Sequence, residues 1–331
     1  MKRLLGKSGI EVSALGMGCW AIGGPWTIVR EEGSRPAGWG HVDDAESIRT
    51  IQAAVDADIT LFDTAANYGC GHSERVLGRA LGTRRRDVVI ATKFGHRIDE
   101  RTKEMHADDD AILPNLRQDC ENSLTRLGTD YIDLYQLHAG RLDPERAIPV
   151  RALLEQLVKE GKIRAYGWST DLVDRARVFA GGTGCASIQF SLNVLNSNSA
   201  MIDLCRDHDL ACVNKKPLAS GILTGKFTPQ TTFPADDMRY DIDFTKPEWA
   251  VTLRMVGELR DVLTRGGRTM AQGALAWVWA RSERTIPIPG ARNEKQVREN
   301  ADAMRHGPLL AAELEDANRI VASIREELEG V

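Results

Sequence analysis

The chain has 331 residues, 42% hydrophobic and 27% charged, with 47 acidic side chains against 43 basic ones and a net charge of −4. Such a composition describes a globular protein long enough to bury a large core. It excludes an extended nucleic-acid surface, since the densest basic run, TRRRD at 83–87, reads as a solvated helix end before a strand.

In chain order, short runs rich in β-branched residues alternate with longer amphipathic stretches. A strand at 12–19 leads, across a long connection at 22–42, to a helix at 43–57 with Ile48, Ile51, Ala54 and Val55 on one face. Strands at 60–65 and 87–94 follow, then a connection at 97–112 and a helix at 113–128 that groups Leu116, Cys120, Leu124 and Leu127. A strand at 131–138 precedes a helix at 149–162, where Leu153, Leu154 and Leu157 cluster and Gly161 supplies the C-cap. Strands at 163–170 and 185–193, a helix at 201–210 and a strand at 211–217 come next. After a connection at 226–248, a helix at 269–282, a strand at 285–290 and a helix at 293–304 complete the series.

Eight strands with helices between them predict an α/β fold, a closed parallel (β/α)8 TIM barrel formed as a single domain over 1–331. An open doubly wound sheet is the competing arrangement, but no G-x-G-x-x-G follows the first strand. The three long connections each follow a strand, which puts them on the C-terminal face where barrels carry their sites. The segment 309–330 is an extra helix packed on the barrel. Six scattered cysteines include no C-x-x-C pair, so free thiols in a reducing cytoplasm are expected. Lys7 and Glu11 interrupt the first apolar stretch and no run of 18 apolar residues occurs, so neither a signal peptide nor a membrane span is expected.

The run TLFDTAANYG at 60–69 is an apolar strand that ends in a carboxylate, Asp63, with Tyr68 in the turn behind it. A strand core has no use for that charge without a partner. Lys93 ends the third strand and His138 the fourth, so acid, phenol, amine and imidazole converge on one barrel face. Singly, a strand-end aspartate caps a turn, a lysine is solvated and a histidine is structural; together they make an acid device. A phenol with a pKa of about 10 is a weak acid at neutral pH, and a neighbouring ammonium is expected to lower it. In that device Asp63 holds Lys93, His138 donates to a substrate carbonyl oxygen, and Tyr68 protonates that oxygen as it gains charge. Barrels often bind phosphate with the loops after strands seven and eight. Here 217–227 offers small residues and Lys226, while 290–300 is a glycine turn opening a helix with Arg292 in its first turn. The seven histidines contain no H-x-H or H-E-x-x-H spacing, so no metal and no metal-dependent hydrolysis is expected.

The segments FDTAANYG with SERVLGRAL behind it, IATKFG, DLYQLH, GKIRAYGWST, PLASGILTGKF and IPGARNEKQVREN resemble the aldo-keto reductases, NAD(P)H-dependent carbonyl reductases on a (β/α)8 barrel. The resemblance covers most of the chain. It implies an oxidoreductase that reduces an aldehyde or ketone to an alcohol, with Tyr68 as proton donor and Asp63, Lys93 and His138 completing a tetrad. It places Ser169, Thr170 and Gln189 at the nicotinamide carboxamide, with Lys215 near the ring. Pro217, Leu218, Gly221 and Lys226 fall in the segment that wraps the pyrophosphate, and Arg292, Gln296, Glu299 and Asn300 in the one that holds the adenosine end. Arg292 at the 2′-phosphate implies NADPH (NADP+) ahead of NADH. Gly18 and Trp20 lie where the first strand meets cofactor and substrate. The implied partner is a small-molecule carbonyl substrate, with no nucleic acid and no membrane; the oligomeric state is left open. Channel-associated members of the fold supply the alternative, an NADP-binding auxiliary subunit with slow or no turnover.

Three positions depart from the family pattern. Thr170 stands where an asparagine is usual, and its hydroxyl cannot reproduce an amide contact. NKKPLA puts Lys215 or Lys216 where an aromatic or arginine packs on the nicotinamide. Trp168 replaces a small apolar residue and is expected to fill packing space rather than the mouth. Trp26 and Trp39, from 22–42, join His138 as candidates for the substrate pocket. The acids of HADDDA and ADDMRYDIDF argue against an anionic substrate, and Arg239 is expected at the cofactor phosphates or the substrate.

Overall fold

The chain opens with an antiparallel hairpin, β1 (Lys2–Leu4) and β2 (Glu11–Ser13), in a computed structural model that describes residues 1–329. β3 (Gly16–Gly18) follows after a break at Ala14 and Leu15, where Ser13 Oγ donates to Leu15 O and the Ser13 and Thr60 side chains each accept the other residue's backbone N–H. Those bonds turn the chain from the barrel floor into its wall, so the one strand expected at 12–19 is two.

Next come β4 (Thr27–Arg30), β5 (Gly33–Pro36), α1 (Asp44–Asp56), β6 (Leu61–Asp63), α2 (His72–Leu81) and β7 (Val89–Phe94). β8 (Arg97–Asp99), β9 (Glu104–His106), α3 (Asp109–Leu127), β10 (Ile132–Leu137), α4 (Pro144–Lys159) and β11 (Ile163–Ser169) follow. The remainder holds α5 (Val173–Ala180), β12 (Cys185–Ser191), α6 (Ser199–Asp207), β13 (Ala211–Lys215), α7 (Pro247–Leu263), α8 (Met270–Arg281), β14 (Thr285–Pro287), α9 (Glu294–His306) and α10 (Ala311–Glu329).

Eight strands form one parallel sheet in the order β14-β13-β12-β11-β10-β7-β6-β3. Its edges meet where Gly18 N donates to Pro289 O at 3.0 Å, closing the barrel. A Cβ on Gly18 would fall 2.7 Å from the Ile288 carbonyl oxygen, so the closure depends on glycine there.

Strand alternation sorts the side chains. Leu61, Val89, Ala91, Leu134, Ala165 and Val213 pack inside the barrel with Leu5, Ile10 and Val12 of the hairpin, which plugs the floor. Phe62, Ile90, Tyr135, Tyr166 and Trp168 point outward into the helix layer. Trp168 packs on Phe179 with ring centroids 4.8 Å apart and donates to Ala139 O, so it fills packing space as expected. Asp63, Lys93, Gln136, Ser169 and Lys215 continue the inner rows toward the C-terminal ends of the strands, and the interior turns polar at the mouth.

Two helices begin earlier than their sequences suggest. Pro114 and Pro149 lie inside α3 and α4, whereas a proline is usually read as a first helical residue. Asp108 and Asp143 accept backbone N–H bonds from Ala111 and Glu145, and these caps start the helices ahead of the prolines. The connections 22–42 and 97–112 contain structure of their own: β4, β5, β8 and β9 form a four-stranded sheet over the mouth. α10 packs on α7 and α8, fixed by a buried Arg268–Glu313 pair at 2.6 Å and by Trp277 Nε1 donating to Asn318 Oδ1. All six cysteines are free and buried. No helix among the described residues is long and apolar enough to cross a membrane.

Candidate active site

The inner rows of β6 and β7 bring Asp63 and Lys93 face to face. The wholly buried Lys93 ammonium donates to Asp63 Oδ1 at 2.5 Å, to the Thr64 carbonyl at 2.8 Å and to the Tyr68 hydroxyl oxygen at 3.1 Å. An ammonium has three donors, and all are used. Tyr68 therefore accepts from Lys93 and keeps its own hydrogen for another acceptor. Asp63 Oδ2 takes bonds from Gln189 Nε2 at 2.6 Å and Gln136 Nε2 at 3.2 Å, so the carboxylate is held from two further strands.

Burial pulls the Lys93 pKa down, but Asp63 and Tyr68 together outweigh it and hold the ammonium above its ordinary range. For Tyr68 the balance differs from the sequence expectation. Burial raises the phenol above its ordinary value, and the opposing pull of Lys93 does not overcome it. Tyr68 sits in a tight turn after β6, and Trp20 stacks on its ring with centroids 5.8 Å apart and planes 11° apart. A Cβ on the following residue, Gly69, would meet Gly23 O at 1.8 Å, which is why glycine follows the tyrosine.

His138 leaves the end of β10 with its ring edge toward Tyr68. Its Nδ1 lies 3.0 Å from Asn67 Oδ1. With that oxygen facing the ring, the proton sits on Nδ1 and Nε2 presents a lone pair. Donation from His138 to a carbonyl oxygen, as expected from the sequence, requires the Asn67 amide to turn over. Burial first, then the charges of Lys93, His96 and Lys215, hold the His138 pKa well below the ordinary imidazole value, so the ring is neutral.

A cavity of about 790 Å³ runs from Tyr68, His138, Trp26 and Trp39 to Arg292, Gln296, Glu299 and Asn300. Between these ends it is lined by Trp20, Ser169, Thr170, Gln189, Lys215, Pro217, Leu218, Gly221 and Lys226. Every residue singled out by sequence for cofactor, substrate or catalysis lines this one space except Lys93, which lies buried beneath Tyr68.

The sequence matches the family model described as "Aldo/keto reductase family" over residues 14–322. The chain belongs to that family. Among curated relatives, the aldo-keto reductase YhdN of Bacillus subtilis is 34% identical over 301 residues, covering 88% of this chain and 84% of the relative. Among solved structures, the glycerol dehydrogenase from Gluconobacter oxydans superposes with a TM-score of 0.81 at 32% identity, covering 95% of this chain and 93% of that one. An aldo-keto reductase from Klebsiella pneumoniae in complex with NADPH gives 0.67 at 25% identity, covering 97% and 95%. As a member of the family, the chain is an NAD(P)H-dependent oxidoreductase.

The residues of this aldo/keto reductase fit a nicotinamide dinucleotide. Ala219, Ser220 and Gly221 all have left-handed backbone, which curves the segment into a cradle beside Lys226. α9 opens on the far end of the cavity, its first turn capped by Asn293, with Arg292 exposed just ahead of it. Arg292 is not idle: its Nη2 donates to His41 O at 2.8 Å, tying that end to the first loop. Arg239 pairs with Asp237, donates to Ser220 O at 3.2 Å and lies over the Trp39 ring. Arg239, expected at the cofactor phosphates or the substrate, lines the cavity and braces the cradle through its bond to Ser220 O.

Thr170 is fully engaged: its hydroxyl donates to Gly140 O at 2.7 Å and accepts from Leu172 N. Lys215, partly buried, reaches Asp171 at 3.3 Å and Ser169 Oγ at 3.5 Å. Burial lowers its pKa against the pull of Asp171. Asp171, Asn67 and His96 line the cavity and were not singled out by sequence. Asp171 follows the WST run directly, and Asn67 stands beside Tyr68, so nearness to motifs was the available signal. Among the described residues no group of His, Cys, Asp and Glu is arranged to hold a metal.

Proposed function

We propose that this reductase converts an aldehyde or ketone to an alcohol with Tyr68 as the proton donor. The observation that carries this reading is the Lys93–Tyr68 contact of 3.1 Å, which leaves the phenol hydrogen free at the cavity. NADPH held along the cavity supplies the hydride. Lys93, kept charged by Asp63, stabilises the phenolate that remains after proton transfer. Trp20 fixes the plane of the Tyr68 ring, and His138 orients the substrate beside it. Ser169 and Gln189 face the carboxamide position, and Lys226 with Arg292 meets the phosphates, with Arg292 the reader of a 2′-phosphate. The barrel floor is closed and apolar, so solvent reaches Tyr68 only through the cavity.

The test is loss of NADPH absorbance against a panel of aldehydes, ketones and sugars, with NADH in parallel. The expected result is turnover on some member of the panel, preferred with NADPH and cut by about a hundredfold or more in Tyr68→Phe. Turnover that survives in Tyr68→Phe would remove Tyr68 from the acid role.

A further inference from the structure

The geometry points to His96 as a second imidazole of the substrate pocket, reading a hydroxyl on the carbon next to the reacting carbonyl. This rests on the carbonyl-reductase reading and names the substrate class within it.

His96 follows β7 by two residues and lines the same cavity as Tyr68 and His138. Its ring lies 5.3 Å from the His138 ring, centroid to centroid. Its Nδ1 is buried and has no hydrogen-bond partner. Buried N–H groups are almost never left unpaired, so the unpartnered Nδ1 keeps the lone pair and the proton goes to Nε2. Burial drops the His96 pKa to about 4, which keeps the ring neutral and the assignment stable at neutral pH. His138 has the opposite arrangement: Asn67 Oδ1 takes its Nδ1 hydrogen and Nε2 is an acceptor.

The two neighbouring rings therefore offer one donor and one acceptor, and the His138 ring lies 5.8 Å from the Tyr68 ring, centroid to centroid. A hydroxyl group is both donor and acceptor and satisfies the pair in one stroke. An aldehyde or ketone without it would leave both imidazoles unpaired when the site closes over, and sites built to bond a hydroxyl discriminate against analogues that lack it. The neighbouring wall is largely apolar, with Ile28 and Met105, and its indole N–H groups on Trp26 and Trp39 are donors only, so the imidazole pair is what offers a hydroxyl both a donor and an acceptor.

The test compares a 2-hydroxyaldehyde such as glyceraldehyde with propanal, using wild type, His96→Phe and His96→Gln with NADPH. The expected result is a kcat/KM ratio favouring the hydroxyaldehyde by about tenfold or more in wild type. That ratio collapses in His96→Phe and partly returns in His96→Gln, which keeps an amide donor. Equal losses on both substrates in His96→Phe, or no preference in wild type that reduces propanal, would overturn the inference while leaving the reductase reading intact. A second measurement is independent of turnover: NMR of the histidine ring nitrogens in the NADP+ complex, titrated with 1,2-propanediol and separately with 1-propanol. Selective movement of the His96 signals by the diol supports the inference even if no panel substrate is reduced. The absence of any selective shift would overturn it.

Discussion

Lys93 and Asp63 form an ion pair 2.5 Å long in which neither side chain is more than 3% exposed. Two charges taken out of water depend on each other, and removing one leaves the other stranded.

Asp63→Asn is therefore expected to destabilise the protein by about 3 kcal/mol or more and to cut reductase activity as Lys93 loses its anchor. Urea unfolding of the two proteins checks the first part. A shift below about 1 kcal/mol, the scale of a solvent-exposed pair, would mean water reaches the pair in solution.

Tyr68→Phe keeps the ring that stacks on Trp20 but deletes the proton. It is expected to lower kcat by about a hundredfold to ten-thousandfold while NADPH binding, followed by quenching of tryptophan fluorescence, stays near wild type. Loss of binding together with rate would make Tyr68 a structural residue instead.

The pH dependence of reduction follows from two shifted groups. His138 is held well below its ordinary 6.5 and stays neutral across the usual imidazole range. Tyr68 is raised above 10.0 and stays protonated past the usual phenol range. A profile of kcat/KM for reduction should show no step near pH 6.5 and should fall only beyond pH 10, as the acid form of Tyr68 is lost. A descending limb below pH 9 would contradict the dominance of burial at Tyr68 (about one unit under the ordinary phenol value).

Stability should carry a histidine signature of the opposite kind. The folded-state pKa of His96 is about 4 against 6.5 for the free group, so between those values the unfolded chain binds more protons. Stability is then fully present above pH 6.5 and is lost as pH falls toward 4, with a slope of about 1.4 kcal/mol per pH unit from this group. His96→Phe removes that contribution to the slope, whatever it does to stability at neutral pH. Unfolding curves collected across this window decide it; an unchanged slope would mean the ring is protonated in the folded state.

Arg292→Ala should raise the Kd for NADPH by about tenfold or more, the scale of a charge-assisted hydrogen bond, and leave NADH nearly unaffected. Equal weakening of both would assign Arg292 to its bond with His41 O and the loop it braces, rather than to a phosphate. Fluorescence titration with each dinucleotide separates the two.

Much of this molecule could be read from its sequence because strand alternation is local. Once 60–65, 87–94 and 163–170 are strands, the side chains of Asp63, Lys93 and Ser169 share the inside of a barrel by period alone, and Trp168 is outside. Asn67 and His138 meet across 71 positions, and no periodicity links a turn residue to a distant strand end. The sheet over the mouth escaped for a related reason: its strands are three or four residues long, and the two short hairpins, one in each connection, are joined only by the pairing of β4 with β9. The starts of α3 and α4 were placed late because the apolar spacing becomes regular only at 113 and 149, while the aspartate caps upstream, Asp108 and Asp143, set where the helices begin. The phenol's direction was misjudged because a neighbouring charge is visible in sequence and the depth of burial is not.

The six buried thiols have a practical meaning. Burial holds Cys70 near 11 and Cys120 and Cys185 near 12, and their folded forms are poor nucleophiles on top of being covered. They sit just past the end of β3, in the turn behind Tyr68, on α3, on β12, on α6 and on β13. An alkylating reagent can reach each only when its own patch of the barrel comes apart. The chain thus carries six built-in clocks, and reading their labelling rates one by one, with and without dinucleotide, would chart which parts of the barrel breathe and which the cofactor quiets.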